Sequence, residues 1–121
     1  MTPEALKEVL QQHALWLEAK SKGKRAELSG VDLSGVNLSG VNLSVAYLTG
    51  ANLSGVNLSN AGLRVAYLRG ANLTGADLSG ADLKGADLTG VNLSDANLTG
   101  ADITGTKLSE AHFNYTKGIR Y

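Results

Sequence analysis

The chain has 121 residues, with 11 Lys and Arg against 11 Asp and Glu, and no cysteine. This length supports one domain with a modest core, and the balanced charge gives no bulk attraction to nucleic acid. The absence of cysteine removes disulfides, thiolate nucleophiles and zinc–thiolate centres together.

Residues 1-25 predict a capping helix and a linker. Thr2 suits the helix N-cap, Pro3 the first helical position, and Glu4 the positive helix end. Leu6, Val9, Leu10, His13, Trp16 and Leu17 then recur at spacings of three and four, an apolar stripe that should lie over whatever follows. His13 has no ligand partner within the helix, so it reads as a packed histidine with one satisfied nitrogen, and Trp16 reads as core. KSKGKR at 20-25 reads as a solvated linker rather than a phosphate-seeking patch. MTPEALKEVLQQ has no basic segment leading into an apolar run, and no stretch has the apolar length of a membrane span. The expectation is a cytoplasmic protein without membrane contact.

Residues 26-115 repeat with a period of five. Taking Leu28 as a centre, eighteen centres follow to position 113: sixteen Leu, Ile103 and Phe113. Two residues before the centre stands Ala or Val in seventeen of the eighteen, and Gly closes twelve repeats. In an extended chain residues two apart share a face, so the small residue and the Leu point one way and the polar residues the other. Five is odd, so a flat strand would flip the next Leu outward; the chain must turn once per repeat, and Gly supplies the needed backbone freedom. Right-angled turns close a square of four repeats. SVAYLTGANLSGVNL at 44-58 and RVAYLRGANLTGADL at 64-78 support this, because even the departures recur at twenty. The predicted fold is an all-β solenoid of about 4.5 coils, four-sided, with the N-terminal helix as its cap.

Residues 116-121 form a tail. Phe113, Tyr115, Ile119 and Tyr121 fall within nine residues, a set suited to a self-made lid or to a symmetric dimer contact.

The A(D/N)LxG pattern over 26-115 resembles the pentapeptide-repeat family. The resemblance implies a right-handed quadrilateral parallel β-helix. HALWLEAK…GKRAELSG is similar to a lead-in found before the repeats of some bacterial members. The family is defined by a scaffold rather than a site, so it implies little about chemistry. Some members mimic duplex DNA, bind DNA gyrase or topoisomerase IV, protect it from quinolones and dimerise through the C-terminal end.

No catalytic constellation is visible, and no cofactor or metal is expected. His13 and His112 belong to opposite ends, and each Asp of the repeats but one stands in the slot before a Leu or Ile centre on a flat side where carboxylates do not converge. The expected function is a non-catalytic scaffold for an unidentified protein partner. The alternative is a DNA mimic using Asp77, Asp82, Asp87, Asp95 and Asp102. The repeats are only mildly acidic, with eight acidic and four basic residues over 26-115, which disfavours mimicry. A purely structural module is a third reading. The candidate partner surface is the break SNAGLRVAYLRG at 59-70 and the coil below it: Val45, Tyr47, Arg64, Val65, Tyr67 and Arg69. Gly62 should open space beside it. The bland reading of the same residues is a stabilising stack of Tyr67 on Tyr47.

Overall fold

A computed structural model describes residues 1–119. Helix α1 spans Pro3–Glu18, with the Thr2 hydroxyl accepting from the Ala5 N–H at 3.0 Å, and a short 3-10 turn follows at Lys20–Lys22. From Glu27 onward the chain winds as a right-handed four-sided β-helix. Each residue before a Leu pairs in parallel with the residue twenty positions later, from Glu27 with Tyr47 to Asn97 with Lys117. The ladder therefore runs to Lys117, into the segment the sequence marks as tail.

Each corner is a β-turn closed on the Leu. At the first, the Leu28 carbonyl accepts from the Val31 N–H at 3.1 Å, and Gly30 between them has φ of +71°. A positive φ at that position defines a type II turn and explains why the slot is mostly glycine. Six other residues take it: Val45, Asn60, Val65, Asp95, Glu110 and Tyr115. Asn and Asp tolerate this region, whereas a β-branched valine does so only under strain.

The slot before each Leu has a second task. Asn or Asp there accepts the backbone N–H two residues on, as Asn52 does from Ser54 at 3.1 Å, and often the hydroxyl of that residue as well. This Asx-type bond recurs around the coil and fixes the polar side chains against the sides. It also means that most aspartates of the repeat are structural acceptors.

Inside, every Leu from Leu28 to Leu93 is at most 2% exposed, as are the small residues from Ala46 to Ala96. The two ends differ. At the lower end α1 covers the first coil through Leu6, with Val9 and Leu10 partly buried against it. At the upper end Ala101, Ile103, Leu108, Phe113 and Ile119 are only partly buried. Among the described residues, no helix is long and apolar enough to cross a membrane.

Candidate functional site

The four sides are distinguished by their centres. The first carries Leu28, Leu48 and Leu68, and the fourth carries Leu43, Leu63 and Leu83. The corner from fourth to first holds Val45 and Val65, and it is where the sequence departs most from its repeat.

Val45 and Val65 have φ of 64° and 56°, one directly above the other. Their coil-mates higher on the same corner are Gly85 and Gly105, which adopt this conformation without strain. Val65 is 50% exposed and Tyr67 38% exposed, the only large apolar side chains that stand out along the middle of the stack. Arg64 and Arg69 flank them with side chains 57% and 63% exposed. Each arginine reaches up one rung to a carboxylate. Arg64 Nε donates to Asp82, and Arg69 Nη2 donates to Asp87 at 3.1 Å. Lys84 repeats the motif with Asp102 at 3.4 Å. The guanidinium of Arg64 holds the Asp82 carboxyl below its usual range, and the carboxylate raises the Arg64 pKa in turn. For Asp87 and Asp102 the hydroxyls of Thr89 and Thr104 act first in the same direction, with Arg69 and Lys84 adding to it.

Tyr67 stacks on Tyr47 with ring centroids 5.2 Å apart. The stack does not end there. Arg25 lies 4.7 Å from the Tyr47 ring centre and 4.5 Å from that of Trp16, while its Nη1 donates to the Tyr47 hydroxyl at 2.6 Å. Trp16 in turn stacks on His13 at 5.6 Å. A continuous pile of π faces thus joins the cap helix to the third coil. Tyr47 belongs to the seat of the cap, and only Tyr67 at the top of the pile presents itself outward.

Three sequence expectations change here. Arg25 is not a solvated linker residue but the middle of the stack. The space beside Gly62 is not open: a Cβ on Gly62 would lie 2.8 Å from Asn42 Oδ1, so the amide of the rung below fills it. His13 satisfies both ring nitrogens rather than one. Its Nδ1 accepts from the Ala26 N–H at 2.9 Å, and its Nε2 lies 3.0 Å from the Ser44 carbonyl. Burial lowers its pKa and nearby Arg25 adds to this, against the opposing pull of the Ser44 carbonyl.

The five carboxylates of the alternative reading are not brought together. Asp82 and Asp102 lie on the fourth side, Asp87 on the first, Asp77 on the side of Leu78, and Asp95 at a corner with φ of 62°. Three of the five are ion-paired, and Asp77 is bound by Ser79. Among the described residues, no group of His, Asp or Glu is placed to hold a metal. Of the C-terminal set, Phe113 and Ile119 pack toward the core, Tyr115 is 86% exposed, and Tyr121 lies outside the described residues.

Comparison with known proteins agrees with this architecture. No curated protein sequence matches the chain. Among solved structures, it is similar to a pentapeptide repeat protein from the cyanobacterium Cyanothece, at 38% identity and a TM-score of 0.79, over 84% of this chain and 69% of that one. It is also similar to a pentapeptide repeat protein of the Arabidopsis thaliana thylakoid lumen, at 37% identity and a TM-score of 0.44, over 74% and 59% of the two chains. A structure of QnrB1, a plasmid-mediated fluoroquinolone resistance protein, matches at 23% identity and a TM-score of 0.50, over 76% and 59%, which is a likeness of fold. The sequence matches the family described as Pentapeptide repeats, in eight copies, across residues 26–64, 66–105 and 76–114. The chain therefore belongs to the pentapeptide-repeat family.

Proposed function

We propose that this protein is a non-catalytic cytoplasmic scaffold that docks a protein partner on the corner formed by Val65, Tyr67, Arg64 and Arg69. The observation that carries this reading is the strained Val65. Twelve repeats place glycine in that turn slot, yet here a β-branched side chain is held at φ of 56° and half exposed. A cost of about 1–2 kcal/mol for a side chain that packs little within its own chain points to use by something else. Tyr and Arg are the residue types enriched at binding hot spots, and both flank it. The outward groups are two guanidinium edges around an apolar ridge. They suit a partner surface with an apolar side chain bordered by acidic groups.

The test is reversion to the repeat. Changing Arg64→Ser, Val65→Gly, Tyr67→Asn and Arg69→Ser restores the commonest residues of the repeat and keeps Leu63, Ala66 and Leu68. The reverted chain should fold and lose a partner that wild type captures from its host. Equal capture by both would overturn the reading.

The DNA-mimic reading is favoured by one observation, the gathering of Asp77, Asp82, Asp87, Asp95 and Asp102 in the second half of the coil. Against it stand the three ion pairs and the spread of these groups over three sides and a corner. A gyrase supercoiling assay with micromolar protein separates the readings, since the scaffold reading predicts neither inhibition nor protection. Homodimerisation through Phe113, Tyr115, Ile119 and Tyr121 is compatible with either, and light scattering over a concentration series tests it.

A further inference from the structure

We infer that the lower edge of the first coil, on the sides of Leu33 and Leu38, is a docking groove for an extended peptide that adds one parallel rung beneath the β-helix. It is separate from the Val65 corner and does not depend on that surface.

The inference starts from hydrogen-bond accounting. In every higher rung the residue before the Leu bonds downward twice. Asn52 donates its N–H to the Val31 carbonyl at 3.0 Å and accepts from the Leu33 N–H at 2.8 Å; Asn57 does the same with Val36 and Leu38. Asp32 and Asn37 hold this place in the first rung. Among the described residues neither their N–H nor their carbonyl has a backbone partner. Among the described residues Glu27 and Asn42 on the neighbouring sides lack these backbone bonds too, but the corner between them is engaged by the cap. There α1 supplies substitutes, with His13 engaging the Ala26 N–H and the Ser44 carbonyl, and the Gln12 carbonyl accepting from Lys24 at 3.2 Å. The cap therefore finishes one part of the edge and leaves the part at Asp32 and Asn37 exposed as a pairing template.

Packing agrees. Val31 and Val36 stay partly buried, while the residues one coil above them, Ala51 and Val56, are fully buried. Leu33 and Leu38 are only 2% and 1% exposed, so what lacks a full layer beneath it is the row of small residues. In place of that layer lies a groove of about 500 Å³ between α1 and the rung, with Leu6, Leu10 and Ala14 on one wall and Leu33, Val36 and Leu38 on the other. That volume lies within the range of ligand pockets, and the mainly apolar lining suits side chains rather than a charged group. Free backbone donors and acceptors beside an apolar trough are the two components of strand addition, in which the main chain gives affinity and alternate side chains give register. The continuing ladder sets the occupant: a segment in extended conformation, parallel to the rung, with a small residue and a Leu two positions apart.

The test uses the full chain and a fluorescein-labelled peptide of sequence ANLSGANL, followed by fluorescence polarisation. Saturable one-to-one binding is expected. N-methylation of the peptide backbone at both Leu residues removes the donors that would meet the Asp32 and Asn37 carbonyls and should weaken binding at least about tenfold. Ala14→Trp, at an exposed helix position, should fill the groove and abolish binding while circular dichroism and melting stay those of wild type. Addition of the peptide should slow amide exchange at Asp32 and Asn37. No saturation at millimolar peptide, equal affinity of the N-methylated peptide, or undiminished binding to Ala14→Trp would each overturn the inference. So would peptide-independent doubling of the mass that Ala14→Trp abolishes, since the groove would then hold a second copy.

Discussion

Replacing His13 with Ala tests how the cap is attached to the coil. The imidazole is fully buried and bonded at both nitrogens. Its removal strands the N–H of Ala26, a residue 1% exposed, at a cost of about 1–3 kcal/mol, and leaves a cavity beneath Trp16. Together these come to about 3 kcal/mol, or about 10 °C in Tm for a chain of this size. The same geometry fixes a pH dependence. Nδ1 must be unprotonated to accept from Ala26, and the folded-state pKa is lowered from the ordinary 6.5. A lowered histidine pKa means that the unfolded chain binds more protons in the window below 6.5, so stability is full above that value and falls as pH drops through it. Urea unfolding at pH 7.5, 6.5 and 5.5 measures both effects. Wild type should weaken toward pH 5.5 more steeply than His13→Ala, because any contribution of His112 is common to the two. Parallel curves, a Tm change under 1 °C, or a wild type that strengthens on acidification would refute the reasoning.

Further outcomes follow from the same contacts. Leu73→Ala, mid-stack and fully buried, should cost about 3–5 kcal/mol in urea unfolding, and a Tm change below 1 °C would contradict its inward placement. Val65→Gly relieves the strained turn at the expense of unfolded-state entropy and some burial, so its Tm should stay within about 3 °C of wild type while partner capture falls. Asp32, Asp77, Asp82, Asp87 and Asp102 all have carboxyls held below the ordinary 3.8 by hydrogen bonds or ion pairs. Their contribution is present above that value and lost as pH falls through the lowered ones, so stability to urea should fall further below pH 4, separate from the His13 step.

The fold was readable because an odd period combined with a fixed inward Leu leaves few solutions, and because Tyr67 and Val65 repeat Tyr47 and Val45 at one full coil. The same rule explains the inward Leu63 and Leu68 within the broken stretch. What escaped was contact between elements. Arg25 sits in a lysine-rich run that reads as solvated, yet counting back twenty from Val45 places it under that corner, which is the signal that could have found it. The ion pairs carry an eighteen-residue offset, Arg64 to Asp82, Arg69 to Asp87 and Lys84 to Asp102, which the coil register turns into diagonal neighbours. Gly62 misled because an absent side chain suggests a gap, whereas Asn42 one rung below has length enough to fill it. In the sequence the turn at Val65 shows only as a departure from glycine; the strain itself lies in its φ of 56°.

The most direct measurement of the central claim compares wild type with the Arg64→Ser, Val65→Gly, Tyr67→Asn, Arg69→Ser chain, each used as bait in its host lysate, with captured proteins identified by mass spectrometry. The account predicts a protein partner retained by wild type and absent from the reverted chain, whose Tm is no more than a few degrees different. The same partner held equally by both would contradict it.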